Sequence, residues 1–411
     1  MTATRDGVAP EPESPVIATG PSADRVSLKT WLAVAAVALG TFSVVTIEQL
    51  PVGLLTSIGG DLGVSEGTAG LMVTVPGLVA SATAPLLPVA IRRLDRRVVL
   101  IGLLGLMVLA NALSALAPDF AVLLASRFLV GISIGGFWAL AAGIAVRLVP
   151  DRFVPRATSL AFGGATAANV LGVPAGTLIG GLTDWRVAFA AVGALGLVVV
   201  TGLWLLVPRL PATEPVRLRA LPQQFRNPVV RTAVVSTFLL VSGHFAAFTF
   251  VSPILRDIAG VSESLVSPLL LAFGVAGVLG TFVVGAGATR DVRKTVIALG
   301  AALAAILALF PLLGSSPLSG SALLVLWGLV YGGVPVAVQT WIFKGAPDAA
   351  EAATALNTSV FNLAIALGAL LGGVVVDAVA VTGVLWFGAL LMLVTSLAVW
   401  RTRSGEGRRN G

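Results

Sequence analysis

The chain has 411 residues, of which 57% are hydrophobic and only 11% charged, with a formal net charge of +7. Soluble domains carry about 25% charged residues, so this composition excludes an ordinary soluble globular protein. The absence of cysteine and the single histidine exclude a disulfide framework, a thiol nucleophile and a Cys- or His-clustered metal site.

Residues 1–29 are polar and carry Pro10, Pro12, Pro15 and Pro21, which reads as a disordered tail without the apolar core of a signal peptide. Twelve apolar stretches follow, each long enough to cross a bilayer as a helix: 31–57, 67–90, 97–117, 120–148, 157–183, 186–207, 230–256, 264–288, 293–313, 320–344, 352–377 and 381–400. The one long interior loop, 208–229, is rich in Pro and Arg and separates six stretches from six. The expected organisation is therefore a tail (1–29), a six-helix half (30–207), a linker (208–229), a second six-helix half (230–400) and a tail (401–411).

Of the 26 Lys and Arg residues, 23 lie in the two tails and in one set of loops, whereas the opposite loops hold only Arg186 and Arg256. Positive charge marks the cytoplasmic face, so both termini and the linker are expected there. Charge parcelled between apolar segments also argues against nucleic acid as a partner and for a lipid bilayer.

The halves repeat. Gly131, Gly135 and Gly136 match Gly328, Gly332 and Gly333, Pro150-Asp151 matches Pro347-Asp348, and Gly172 and Gly176 match Gly368 and Gly372. Ala90 and Arg92 correspond likewise to Ala288 and Arg290. The fold class expected is an all-α membrane protein of twelve transmembrane helices in two six-helix pseudo-repeats.

Three residues of charged or titratable character lie deep in the apolar stretches: Glu48, Arg127 and His244. A charge in the hydrocarbon core costs about 2.5–3.5 kcal/mol on insertion scales and points to function. No phosphate-binding loop, dinucleotide fingerprint or nucleophile–base pair accompanies them, so neither an enzyme nor a cofactor is expected. That leaves an ion gradient or plain facilitated diffusion, with protons and a small molecule as the expected partners.

Glu48 lies about nine residues, ~13 Å, from the outer end of its stretch, and Arg127 about eight, ~12 Å. The matching depth suggests a membrane-embedded pair that protonation of Glu48 would break; a purely structural ion pair is the alternative. His244 is placed to bind the coupled proton or to donate a hydrogen bond to a substrate; a core histidine bonded to a neighbouring helix is the alternative. Asn169, Asn357 and Asn362 sit at mid-depth, where amides suit a ring edge or sugar hydroxyls but also join helices. Phe248, Gln339 and Trp341 complete the candidate lining.

Specific stretches resemble the major facilitator superfamily and, within it, the twelve-helix drug:proton antiporter branch. These are Arg127-Phe-Leu-Val-Gly131 followed by Gly135, and Asn169-Val-Leu-Gly172-Val-Pro174-Ala-Gly176-Thr177 with Gly180-Gly181 and Trp185-Arg186. Further stretches are similar to purine ribonucleoside efflux pumps and to arabinose- and sugar-efflux-like proteins. They are Glu48-Gln-Leu-Pro51 with Asp61 to Gly67, Gly135-Gly136-Phe137-Trp138, Gly243-His244-Phe245-Ala-Ala-Phe248, and Val334-Pro335-Val336 with Thr340-Trp341-Ile342.

The resemblance implies antiport by a monomer in a bacterial cytoplasmic (inner) membrane. Glu48, Arg127 and His244 would couple protons, Gly172, Pro174 and Gly176 would form the antiporter-type motif, and purine nucleosides would be the exported solutes. Sugar or amphenicol-type drug efflux is the alternative on the same scaffold. The chain departs from the superfamily in the loop after the second stretch, where Ile91 stands in place of the usual aspartate and Asp95 is a candidate substitute.

Overall fold

The computed structural model describes residues 26–91, 93–211 and 220–402. The expected tail 1–25, the linker segment 212–219, Arg92 and the tail 403–411 lie outside the described residues.

Among the described residues, twelve helices are long and apolar enough to cross a membrane. They are α1 (Leu28–Leu62), α2 (Glu66–Ala90), α3 (Arg96–Ala115), α4 (Phe120–Leu148), α5 (Asp151–Leu182) and α6 (Trp185–Leu206), then α7 (Pro228–Phe248), α8 (Glu263–Arg290), α9 (Val292–Leu313), α10 (Pro317–Gly345), α11 (Ala350–Ala378) and α12 (Val381–Arg401). Helix starts are marked by short polar side chains that accept from first-turn N–H groups, as at Asp119 to Val122 N (2.9 Å), Asp184 to Arg186 N (2.7 Å) and Asn227 to Val229 N (2.9 Å). Helix α1 outruns its expected stretch at both ends because Ser27 caps its start and Gly63, in the left-handed region at φ 64°, ends it.

Helix α5 carries a π turn over Ala168–Gly172. Pro174 follows it and has no N–H for the carbonyl one turn back, a deficit that the wider turn absorbs.

Helices α1–α6 pack on one another, as do α7–α12, and the two groups meet chiefly where α2 faces α11 and α5 faces α8. The pseudo-repeat is visible in matched bonds 196 residues apart. Asp95 caps α3 and Asp291 caps α9. Arg97 donates to the Trp204 carbonyl at the end of α6, and Arg293 to the Trp400 carbonyl at the end of α12. The Lys294 backbone N–H beside Asp291 holds that exposed carboxyl below the usual range.

With no water to squeeze out between helices in a bilayer, close approach and dispersion hold them together. Helix α5 lies against α1 through glycines on one face: a Cβ at Gly164 would stand 2.0 Å from the Ala38 carbonyl oxygen, one at Gly172 2.1 Å from Thr46 Oγ1, and one at Gly176 2.3 Å from Leu50. The second half repeats the device, with Gly368 and Gly372 of α11 against Ser242 and Ala246 of α7. Gly164→Ala forces the two backbones apart and is expected to cost about 1–3 kcal/mol, read as a lower melting temperature of the purified protein. Gly163→Ala meets nothing within 4 Å and should leave the melting temperature unchanged.

The halves are joined from mid-membrane to the end that carries the α1–α2 and α11–α12 loops. There the Ser65 hydroxyl donates to Asp377 Oδ2 (2.8 Å) and the Gly67 N–H donates to Asp377 Oδ1 (3.1 Å). Ser267 donates to the Pro174 carbonyl (2.7 Å), and Gly70 lies under the Phe250 ring. The opposite end bears the termini.

Asp95, the candidate substitute for the missing loop aspartate, does not reach the second half. Its Oδ1 accepts from Arg97 N (2.8 Å) in its own half and from Leu210 N (3.1 Å) at the start of the linker.

Candidate functional site

The correspondence Thr46/Ser242 and Leu50/Ala246 beneath the two glycine faces places Glu48 and His244 at the same repeat position, one on α1 and one on α7. Glu48 is half-buried and makes no hydrogen bond or ion pair among the described residues. Its carboxylate lies within electrostatic reach of Tyr331 on α10, in the other half of the molecule. The Tyr331 hydroxyl is itself buried and has no hydrogen-bond partner.

His244 is 1% exposed and sits in an aromatic box. Its ring stacks on Tyr331 (centroids 3.3 Å apart, planes within 7°) and on Phe248 (4.8 Å, 17°). Phe245 and Trp327 meet it edge-on, and Phe273 of α8 closes the box against Phe248 (4.7 Å). Trp327 Nε1 donates to His244 Nδ1 at 3.1 Å, while Nε2 has no protein partner among the described residues. An orphaned phenol and a free imidazole nitrogen thus share one aromatic box in the second half, with the orphaned Glu48 carboxylate of the first half within electrostatic reach of the phenol. Such a set can take up a proton, hydrogen-bond a polar solute and stack on a planar ring.

The pair expected between Glu48 and Arg127 does not form. Arg127 is fully buried; it donates from Nη1 to the Ile47 carbonyl (3.3 Å) and from Nη2 to Ser114 Oγ (2.9 Å), and its guanidinium lies 4.8 Å over the Phe189 ring. Matching depth does not give matching direction: successive residues on a helix point about 100° apart, and Arg127 meets α1 at Ile47, beside the face that bears Glu48. Arg127 thus ties α1, α3, α4 and α6 together. Arg127→Leu leaves the Ile47 carbonyl without a donor, because Pro51 one turn on has no N–H, at about 1–3 kcal/mol, while Ser114 keeps Ala110 and Ser126. The expected result is lower yield and thermal stability, with proton coupling retained in the protein that folds.

The remaining candidates divide. Phe248 joins the aromatic box. Asn357 accepts from Thr237 Oγ1 (2.8 Å) and so links α11 to α7, and Asn362 donates back to the Thr358 carbonyl (2.9 Å) of its own helix. Gln339 donates to Thr354 Oγ1 (2.9 Å), and Trp341 is buried in the core. Asn169, in the π turn, donates to the Ala165 carbonyl (3.1 Å), and its own carbonyl is crossed closely by Gly274 of α8. Gly172, Pro174 and Gly176 shape α5 and its seat on α1 rather than a binding surface.

Tyr331 and Trp327 are the residues that the sequence reading passed over. The signal was present: Tyr331 is the only tyrosine of the chain and stands four residues, one helical turn, after Trp327.

Duplicated six-helix halves around a polar mid-membrane interface define the architecture of a facilitator-type transporter. The model of the Major Facilitator Superfamily matches residues 37–364, and the chain belongs to that superfamily. It is 34% identical over 386 residues to the purine ribonucleoside efflux pumps NepI of Shigella sonnei and Escherichia coli K12, covering 94% of this chain and 98% of each relative.

Two solved structures share the fold at 17% identity. A bacterial homologue of the human lysosomal transporter Spinster, in an inward-facing and occupied conformation, matches with a TM-score of 0.71 over 91% of this chain and 96% of its own. The human organic anion transporter MFSD10 (TETRAN) matches at 0.66 over 91% and 100%. The protein is a multi-pass membrane transporter of a small molecule.

Proposed function

We propose that the protein is a proton-coupled exporter of purine ribonucleosides and their analogues, acting as a monomer in a bacterial cytoplasmic membrane. The observation that supports this reading is the aromatic box of Tyr331 and His244 in the second half, with Glu48 of the first half within electrostatic reach of Tyr331. The printed names of the relatives supply the solute class, and the chemistry suits it: aromatic faces, a phenol without a partner and the Glu48 carboxylate match a base and ribose hydroxyls. The basic loops support placing the end that bears the termini in the cytoplasm.

In the cycle we infer, deprotonated Glu48 binds solute from the cytoplasm. The halves rock, the outer end parts, and a proton from outside neutralises Glu48 and releases the solute. Return of the protonated carrier delivers the proton inward.

The test is uptake of labelled inosine into inverted membrane vesicles with and without an inside-acid pH gradient, beside arabinose and chloramphenicol. Inosine accumulation that collapses with a protonophore is the expected result. Gradient-driven movement of arabinose or chloramphenicol, without inosine, would keep the mechanism and discard the nucleoside.

A further inference from the structure

We infer that Trp327 fixes His244 as the neutral Nε2–H tautomer, so that the histidine serves as a hydrogen-bond donor to the solute and not as a carrier of the coupled proton. The donor role rests on the exporter reading above; the tautomer rests on geometry alone.

An indole N–H donates and never accepts. Trp327 Nε1 stands 3.1 Å from His244 Nδ1, so Nδ1 presents its lone pair, and the one proton of a neutral imidazole must be on Nε2. Protonating the ring would set a second N–H against the indole N–H, losing the bond and opposing two donors. The faces of Tyr331 and Phe248 would welcome a cation. Burial at 1% exposure and the lost indole bond oppose one, and no carboxylate touches the ring to tip the balance.

The groups around His244 bear this out. Among the described residues, Tyr331 of α10 is the titratable side chain in contact with it, and Glu48 of α1 lies within electrostatic reach of that tyrosine. The charged residues of α8 (Glu263, Arg290) lie at its two ends; Asp377 and Arg401 lie at the ends of α11 and α12. Trp327 itself is fully buried with its ring edge-on to the imidazole (5.5 Å, 80°), packed between the box and the helix core. It has no route to the solute and acts through His244, as a positioning residue.

The consequence is a division of labour. His244 Nε2–H seeks an acceptor, such as a purine ring nitrogen or carbonyl, at any pH in the working range. Glu48 alone carries the proton.

The chain has one histidine, so the ¹⁵N spectrum of the ¹⁵N-histidine-labelled full-length protein, purified without a histidine tag, reports this site alone. The expected spectrum shows a protonated Nε2 and a bare Nδ1 from pH 5.5 to 8.5, with the Nε2–H resonance moving when inosine is added. An imidazolium signal at pH 5.5, or a proton on Nδ1, would overturn the tautomer assignment.

Trp327→Phe keeps the ring and removes the N–H. In that variant the imidazole should sample both tautomers and titrate. Read by counterflow in the Glu48→Gln background, where the coupled acid no longer titrates, the KM for inosine should rise about tenfold for each pH unit below the new midpoint when Trp327→Phe is added, and stay flat without it. A KM that rises with the same slope in Glu48→Gln alone would also overturn the inference. An Nε2–H resonance indifferent to inosine, in a protein shown by transport to use inosine, would remove the donor role and leave the tautomer standing.

Discussion

Glu48→Gln should abolish pH-driven accumulation of solute while leaving solute–solute exchange intact. The carboxylate is the one acidic group described at mid-membrane, and no cation neutralises it: Arg127 is committed to Ile47, Ser114 and Phe189. An acid so placed changes its proton occupancy with its exposure to the two sides, which is the property that coupling requires. A gradient of one pH unit supplies about 1.4 kcal/mol per proton, a tenfold accumulation. Glutamine keeps the shape and the hydrogen-bonding reach of the protonated acid, so the halves can still rock around a bound solute. Measured in vesicles, the accumulation ratio should fall to about one under a gradient that drives about tenfold accumulation by the wild type, while counterflow of labelled against unlabelled inosine continues. Retained accumulation in the variant would place the coupled proton elsewhere.

Gly67→Leu should hold the outer end of the molecule open. Gly67 opens the first turn of α2, its N–H donates to Asp377, and a Cβ there would stand 2.3 Å from the Gly373 carbonyl oxygen and 2.4 Å from Asp377 Cγ. A branched side chain cannot be housed while α2 and α11 remain in contact, so the closed outer end is lost. Asp377→Ala removes the carboxylate that caps a helix of the opposite half; because that carboxylate is exposed, its effect is smaller, about 1 kcal/mol.

The chain has no cysteine, so a single Ser252→Cys reporter, at a position only 4% exposed beside the closure, can be labelled without background. Its rate of reaction with a membrane-impermeant maleimide should rise at least about tenfold in the Gly67→Leu background, the shift expected of a bias of about 1.4 kcal/mol. The Asp377→Ala background should give a lesser rise. Gly60→Leu, where nothing lies within 4 Å, serves as the control. An unchanged labelling rate in the Gly67 variant would mean that this closure is not the outer gate.

The architecture was legible because a bilayer imposes it. Length, apolarity and the partition of arginine between loops leave few alternatives, and the repeat could be read from glycines whose spacing the backbone contacts require. The site was legible only in part. Glu48 and His244 stood out by type, but the partner of each is decided by which way a side chain points around its helix, and depth along the chain does not contain that. Arg127 was given to Glu48 on depth alone, and the structure turns it to Ile47, one residue away. Asn357 and Asn362, amides with the right chemistry, are consumed by Thr237 and Thr358. Tyr331 and Trp327 were overlooked because aromatic residues are common in membrane helices; what distinguishes these two is the histidine they embrace, which is 83 or more residues away in sequence.

The equivalence of Glu48 and His244 has an electrical meaning. The two halves of this architecture are related by an axis along the membrane normal, so equivalent positions share a depth and with it the same fraction of the transmembrane voltage. Any exchange of polarity between the acid and the imidazole, through Tyr331 or through the solute lying between them, therefore crosses none of the field. Voltage acts instead on the proton's approach to Glu48 from outside and on its departure inside, and on the charge state in which the halves rock. A mutation that swaps the contents of the two positions would leave those distances along the field unchanged while reversing which half carries the charge.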